Sequence, residues 1–174
     1  MHALLAAAVM IVALAGSMHL ESTDFLNGGI LPNALVATEC GGDNRTPHLV
    51  WTGVPAGVKS FAIVLHDPDA PVPGGFYHWI VYNLPATMRS LKSNPGLARS
   101  QLGETSVGKP GYWGPCPPPN STHHYVFTLY ALDIAHLAAS PPLTEDQLMK
   151  RISGHIVARA KLTGTASSAG QFNP

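Results

Sequence analysis

Three stretches of the chain are apolar enough to form buried β-strands. They cover residues 60–65, 78–84 and 125–132, and each stops at or near a proline or an aspartate. Continuous apolar runs of this length with such ends are typical of strands that are buried on both faces, because proline cannot continue a strand ladder. We expect these three segments to form the centre of a sheet.

A helix is predicted only towards the C-terminal end of the chain. Residues 144–147 read TEDQ, which is a capping-box pattern that begins a helix. Gly164 is expected to end this helix. The apolar residues that follow the capping box at helical spacing are Leu148, Met149, Ile152, Ile156 and Ala160.

Two long segments carry no regular pattern of apolar residues. Residues 24–48 are rich in glycine, asparagine, proline and threonine, and we expect extended segments and loops there. Residues 86–122 include several glycines and the run PCPPP at 115–119. Long irregular segments inside a compact domain are usually functional or disordered, so this second segment is a candidate for a binding loop.

The N-terminal residues 3–15 form an apolar run followed by polar residues. The run has the length of the apolar part of a signal peptide and is too short to span a bilayer. Ala13-Leu14-Ala15 offers a small-residue cleavage pattern. We predict a signal peptide at 1–17, a single domain at 18–174 and an exported protein, periplasmic or secreted. A buried N-terminal helix is the alternative, because no lysine or arginine precedes the run.

Length and charge limit the classes of function. A chain of 174 residues is the size of one domain, and its Lys+Arg and Asp+Glu counts are both 10, so its formal net charge is zero. Such a chain has no long-range field to attract nucleic acid or an anionic membrane. We therefore expect no nucleic-acid partner and at most peripheral contact with a membrane.

The two cysteines, Cys40 and Cys116, are a candidate disulfide if the protein is exported. A bridge across so long a loop stabilises the fold by about 4 kcal/mol. Two buried free thiols are the alternative for a protein that stays in the cytosol.

Candidate chemistry begins directly after the first predicted strand, in the sequence HDPDAPVPGGFYHW at 66–79. Pro68 favours an extended Asp67, so the carboxylates of Asp67 and Asp69 are expected on one side of the strand end. A hairpin would return His78 to the same end of the sheet. Turn-forming aspartates and a histidine at a sheet edge are the alternative interpretation.

A second candidate group precedes the third strand. Gly111 and Gly114 permit close backbone approach and could expose amides to an anion. Adjacent residues of an extended chain point to opposite faces, so only one of His123 and His124 can line a pocket with Tyr125.

The two groups together resemble the phosphatidylethanolamine-binding protein family, also called Raf kinase inhibitor-like proteins, and its bacterial branch in particular. The resemblance covers nearly all of the predicted mature chain. The matching blocks are GGDNRTPHLVW at 41–51, PAGVKSFAIVLHDPDAP at 55–71, HWIVYNLP at 78–85, GYWGPCPPP with HHYVFTLYALD between 111 and 133, and a closing helix that ends in GHIVARAKLTGT.

The resemblance implies a mainly β fold, a two-sheet antiparallel Greek-key sandwich with a few peripheral helices. It also implies a non-enzymatic binding protein, without a cofactor, whose small pocket takes phosphate-like anions or phospholipid head groups. Inhibition or modulation of another protein is a further implied role. By position, the pocket residues are Asp67, Asp69, Pro71, His78, Gly114, Pro115, His123 and Tyr125. The family's usual glycine after the proline run is replaced by Asn120, and relatives often carry an aromatic residue near Gly164.

An enzyme is the alternative class of function. Asp67, Asp69, His78 and His123 are residue types that bind divalent metals, as a metal-dependent phosphoesterase would require. The sequence has no H-x-x-x-H or H-E-x-x-H spacing and no G-x-S-x-G nucleophile motif. A binding protein is therefore the preferred interpretation.

Overall fold

The computed structural model describes residues 17–138 and 142–168, which form seven β-strands, one α-helix and short 3₁₀ turns. Residues 1–16, on which the predicted signal peptide falls, lie outside this range. The elements are β1 His19–Ser22, β2 Leu49–Thr52, β3 Ser60–Asp67, β4 Phe76–Pro85, β5 Ser90–Leu91, β6 Thr122–Leu132, α1 Glu145–Ile152 and β7 Ile156–Ser167.

The strands form two antiparallel sheets. The larger sheet has the order β4-β3-β6-β7 and the smaller one the order β1-β2-β5. In the larger sheet, β3 pairs with β6 from Ser60↔Leu132 to His66↔Val126. The predicted mainly β fold with two antiparallel sheets and few helices is confirmed, and the three strands expected from the apolar runs are β3, β4 and β6.

Burial on both faces explains the continuous apolar runs. On one face of the larger sheet, Phe61, Ile63 and Leu65 of β3 belong to a core shared with the smaller sheet. On the other face, Ala62 and Val64 belong to a second core, to which α1 contributes. A strand with a layer on each side has no polar face, so its sequence does not alternate.

The predicted helix is correct at its start and wrong at its end. Thr144 Oγ1 accepts from the backbone N–H of Gln147, whose side chain accepts from the Thr144 backbone N–H, so the capping box is present. The helix ends at Ile152, however, and Ile156, Ala160 and Gly164 lie in β7. Apolar residues spaced by four lie on one face of a helix, but they also lie on one face of a strand, where the side-chain pattern repeats every two residues. Pairing with β6 makes this segment a strand.

A disulfide joins the first irregular segment to the second. Cys40 and Cys116 are bonded, with 5.7 Å between their Cα atoms and a separation of 76 positions in the sequence. Residues 24–48 otherwise contain two 3₁₀ turns, Asn33–Leu35 and Thr38–Cys40, and no long element. The bond therefore fixes a loop that has little regular structure of its own.

Among the residues that the structure describes, no helix has the length and apolar character needed to cross a membrane.

Candidate functional site

Asp67 is the centre of the candidate site. It is the last residue of β3, and only 3% of its surface is exposed. Its Oδ1 accepts a 2.9 Å hydrogen bond from the backbone N–H of Asp69, which fixes the turn through Pro68. Its Oδ2 accepts a 2.7 Å bond from Nδ1 of His123. One carboxylate thus stabilises its own turn and orients a histidine at the start of β6.

Asp69 lies outside the pocket, although it was expected to line it. Its Oδ2 accepts from both the backbone N–H and the ring Nδ1 of His124, each at 2.7 Å. The two side chains are 40% and 58% exposed, respectively. These hydrogen bonds hold the pKa of Asp69 below its usual value. As the alternation along a strand requires, His124 faces away from the site while His123 faces into it.

His78 lies on β4, next to Asp67. Its Nδ1 is 2.7 Å from the carbonyl oxygen of Trp113, so this nitrogen carries a proton and donates it. Its Nε2 is 4.0 Å from Oδ2 of Asp67, beyond hydrogen-bonding distance. Burial lowers the pKa of His78 to about 4, although the Trp113 carbonyl and the Asp67 carboxylate oppose that effect. The imidazole is therefore neutral at neutral pH.

Tyr125 packs beneath these groups. Its ring meets that of His78 nearly edge-on, with 5.2 Å between the ring centroids. The hydroxyl is buried and has no hydrogen-bond partner among the described residues, although Asp67 and the Cys116 backbone are close enough to affect its ionisation. Burial raises the pKa of Tyr125, so its hydroxyl stays protonated. An unpaired buried donor is costly, so the Tyr125 hydroxyl is a point of strain in the packing beneath the site.

Gly114 and Pro115 anchor the loop beside the pocket, and they do not line the pocket itself. The Gly114 N–H donates a 2.7 Å bond to Asn44 Oδ1, and the Pro115 carbonyl accepts from the N–H of Ala37. A Cβ atom at position 114 would collide with the backbone of Leu35, so only glycine fits. The sequence-based expectation that Gly114 offers an amide to an anion therefore does not agree with its contacts.

These residues surround a cavity of about 220 Å³. Of the eight predicted pocket residues, four line it, Tyr125 lies below it, Gly114 and Pro115 lie behind it, and Asp69 is outside. Its wall also contains residues that the sequence did not single out, most of them apolar. The lining residues are Asp67, Ala70, Pro71, Val72, Phe76, His78, Trp113, Cys116, Pro118 and His123.

A larger cavity of about 690 Å³ lies across the proline run. Cys116 and Pro118 face the small cavity, whereas Pro117 and Pro119 face the large one, so alternate residues of one extended segment form both walls. Apart from Glu39, the large cavity is lined by uncharged residues. The titratable groups that meet in the small cavity make it the candidate site.

The four residues considered as metal ligands do not form a ligand set. Asp67 and His123 bond to each other, and Asp69 bonds to His124 outside the pocket. Within residues 17–138 and 142–168, no group of three or more histidine, cysteine, aspartate or glutamate side chains is arranged to hold a metal. The arrangement gives the phosphoesterase alternative no support.

Asn120 follows the proline run, at the position where the resemblance led us to expect glycine. It has a φ of 61°, a left-handed conformation that favours glycine and that asparagine tolerates better than most residues. A glycine at this position would adopt the same backbone conformation without strain.

The sequence profile of the phosphatidylethanolamine-binding protein family matches residues 21–167. The chain belongs to this family. It is 39% identical over 158 residues to the UPF0098 protein YbhB of Escherichia coli, an alignment that covers 86% of this chain and 100% of YbhB.

Two solved structures show the same fold as this family member. The crystal structure of Escherichia coli YbcL has a TM-score of 0.80 and 30% identity, and covers 87% of this chain and 99% of YbcL. The structure of CT736 from Chlamydia trachomatis has a TM-score of 0.77 and 35% identity, and covers 87% of this chain and 98% of that one. Membership in the phosphatidylethanolamine-binding protein family agrees with the resemblance found in the sequence.

Proposed function

We propose that the chain is a non-enzymatic binding protein whose small cavity takes a phosphate-like anion or a phospholipid head group. The observation that carries this proposal is the meeting of Asp67, His78 and His123 at one cavity of about 220 Å³, with Tyr125 packed against His78 below it. That volume suits a head group and is below the range typical of drug-sized ligands.

The chemistry of the cavity supports a polar ligand. Below the cavity, the buried hydroxyl of Tyr125 has no hydrogen-bond partner among the described residues. The imidazoles of His78 and His123 each bond through Nδ1, and each ring has its Nε2 free of any hydrogen bond within the described part of the chain. Phe76, Pro71 and Val72 form an apolar rim that would exclude water around these groups.

The test is an NMR titration of the ¹⁵N-labelled protein with phosphoethanolamine. We expect binding with a Kd between millimolar and micromolar, about −4 to −8 kcal/mol. Shift changes should concentrate in residues 66–78 and 113–125. Either His78→Ala or His123→Ala should weaken binding at least about tenfold, because each removes a polar group from the cavity wall.

His155→Ala is the matched control for these variants. His155 also bonds to an aspartate, Asp133, but the pair is exposed and lies at the opposite end of β6. The affinity of His155→Ala for phosphoethanolamine should equal that of the unmodified protein. Unchanged affinity in folded His78→Ala and His123→Ala would refute the site.

We also infer that the protein is exported. The Cys40–Cys116 bond supports this, because disulfides persist in oxidising compartments and are rare in the cytosol. The signal peptide at 1–17 and the domain at 18–174 remain predictions from the sequence. Modulation of another protein through the pocket rim also remains a prediction.

A further inference from the structure

The large cavity lies where the outer edge of β7 loses its neighbouring segment. β7 is the last strand of the larger sheet, and residues 28–31 run beside its outer edge. Thr165 donates from its N–H to Gly29 and accepts at its carbonyl from the N–H of Leu31. The chain then turns away from β7 into the 3₁₀ turn Asn33–Leu35. Ser167, the next residue of β7 with the same orientation, lines the cavity of about 690 Å³.

Ser167 presents a main-chain donor and a main-chain acceptor to this cavity. Along an antiparallel strand, successive residues point their N–H and C=O groups to opposite sides, so those of Ser167 point away from β6, as those of Thr165 do. Within the described residues, neither group of Ser167 has a hydrogen-bond partner. The Ser167 hydroxyl is already paired with that of Thr122, at 2.8 Å. Unpaired main-chain groups at a strand edge are the groups with which an added strand pairs.

Glu39 gives the cavity its charge. Thr38 Oγ1 donates to Glu39 Oε2 at 3.1 Å, which leaves the other carboxylate oxygen available. In the part of the chain that the structure describes, Glu39 forms no ion pair, and every other residue that lines the cavity is uncharged. An unneutralised carboxylate in a recess favours a cation over an anion. Val36 and Ala166 add apolar contact surface.

The walls of the cavity are held in place by contacts within the protein. The side-chain amide of Asn33 donates a 2.9 Å hydrogen bond to the carbonyl of Gly41, which ties the two ends of the 33–41 loop together. The disulfide from Cys40 to Cys116 joins this loop to the start of the proline run, whose φ angles are fixed. A site formed in advance loses little conformational entropy when a ligand binds.

We propose that the large cavity is a docking site for an extended peptide that carries a basic side chain. The main chain of the peptide pairs with Ser167 at the edge of β7, and its lysine or arginine side chain reaches Glu39. The volume lies within the range of about 300–1,000 Å³ that is typical of ligand sites. This inference concerns a second site and does not rest on the anion binding proposed for the small cavity.

NMR titrations of the ¹⁵N-labelled protein test the site with three probes: acetyl-Ala-Lys-Ala-amide, its counterpart with glutamine in place of lysine, and butylamine. We expect shift changes in residues 38–41 and 166–168. The lysine peptide should bind about twofold to fivefold more tightly than the glutamine peptide, because an ion pair with an exposed carboxylate is weak. Butylamine has the cation but no main chain, so it should bind at least about tenfold more weakly than the lysine peptide.

Glu39→Gln tests the assigned charge. The side chain keeps its size and loses its negative charge, so the preference for the lysine peptide over the glutamine peptide should disappear. Glu21→Gln is the matched control, because Glu21 is an exposed glutamate of β1 that does not line the cavity. It should keep the preference of the unmodified protein.

Ser167→Pro tests the main-chain pairing. Proline removes the N–H that points away from β6, and an edge strand tolerates that loss without breaking the ladder. Both peptides should bind at least about tenfold more weakly to this variant. Ser167→Ala is the control, because it removes the hydroxyl and keeps the N–H, and its affinities should be unchanged. If Ser167→Pro does not fold, Glu39→Gln still decides the proposal.

Four results would overturn the proposal. Equal affinities of the two peptides for the unmodified protein would remove the role of Glu39. Butylamine that binds as tightly as the lysine peptide would make the cavity a site for organic amines. Shift changes confined to residues 66–78 would place the peptide in the small cavity, and no shift change with any probe would leave the large cavity without a ligand. None of these results alters the outcome of the phosphoethanolamine titration.

Discussion

Asp67 shows how one side chain can serve both the fold and the site. Its two oxygens accept from Asp69 and His123, which belong to different segments of the chain. Both bonds are buried or partly buried, where a carboxylate without partners would be costly. The residue therefore could not be replaced by an apolar one without loss of the turn and of the orientation of His123.

His78 predicts a dependence of stability on pH. In the unfolded chain its pKa is near the ordinary 6.5, whereas burial lowers it to about 4 in the folded protein. Between these values the unfolded state binds more protons. The free energy of unfolding should therefore decrease as pH falls from about 6.5 to about 4, by up to about 3 kcal/mol.

Urea unfolding of the unmodified protein and of His78→Gln at pH 7, 5.5 and 4.5 measures this contribution. The loss of stability on acidification should be smaller in the variant, which has no imidazole at this position. His155→Gln, which alters an exposed histidine, serves as the control. Identical acid profiles for His78→Gln and the unmodified protein would contradict the expectation.

The sequence was informative about residues whose geometry follows from local rules. The alternation of His123 and His124 is a property of any extended chain, and it was predicted correctly. The partners were not predictable in the same way. The neighbouring sequence does not indicate that Asp69 accepts a hydrogen bond from His124 outside the pocket. It also does not indicate that the Gly114 N–H donates to Asn44, which is 70 positions away in the sequence.

At the scale of elements, β7 is the segment for which the prediction from the sequence was wrong, because a helix was expected there. Its buried positions alternate through Ala160, Leu162, Gly164 and Ala166, and it pairs with β6 along its whole length. The apolar spacing of four continues from α1 into β7 without a break, so the helix pattern alone could not locate the boundary. Contacts with the sheet outweigh local preference here.

Gly164 offers a test of how closely β7 is packed. A Cβ atom there would collide with Leu31 and approach Phe25 Cε2 to 3.2 Å. Gly164→Ala should lower the free energy of unfolding by about 1–3 kcal/mol, measured by urea denaturation, because the core would be overpacked.

Gly154→Ala is the control for this substitution. Apart from the adjacent backbone, no atom lies within 4 Å of a Cβ built at Gly154, and the φ of Gly154 is not in the left-handed region. Its effect on stability should be small or favourable. A loss at Gly164 no larger than that at Gly154 would show that Leu31 and Phe25 adjust without cost.

At the scale of the whole molecule, three layers enclose two cores: the smaller sheet, the larger sheet between the cores, and the layer that contains α1. The apolar runs predicted the central layer, since β3 and β4 are covered on both faces. The family resemblance supplied the two-sheet arrangement. Neither predicted the large cavity beyond the proline run, because it forms between segments 33–41, 117–119 and 166–168, which are distant in the sequence.

The exported protein should differ in mass from the full chain in two ways. Cleavage of the predicted signal peptide should remove the first 15 to 17 residues, and the disulfide should remove two hydrogen atoms. Intact-mass spectrometry of the non-reduced protein, with and without a reducing agent, measures both. A mass that retains the N-terminal residues would contradict the predicted signal peptide, and one without the two-hydrogen difference would contradict the disulfide.

The paired contacts Asp67–His123 and Asp69–His124 have a consequence for strand alignment. The β3–β6 ladder ends at His66↔Val126. The two Asp–His contacts join the two segments just beyond this last pair. A slip of β6 by one residue would turn His124 inward and His123 outward, and would break both pairs. The two Asp–His pairs therefore form only in the observed register, and they disfavour a one-residue slip of β6.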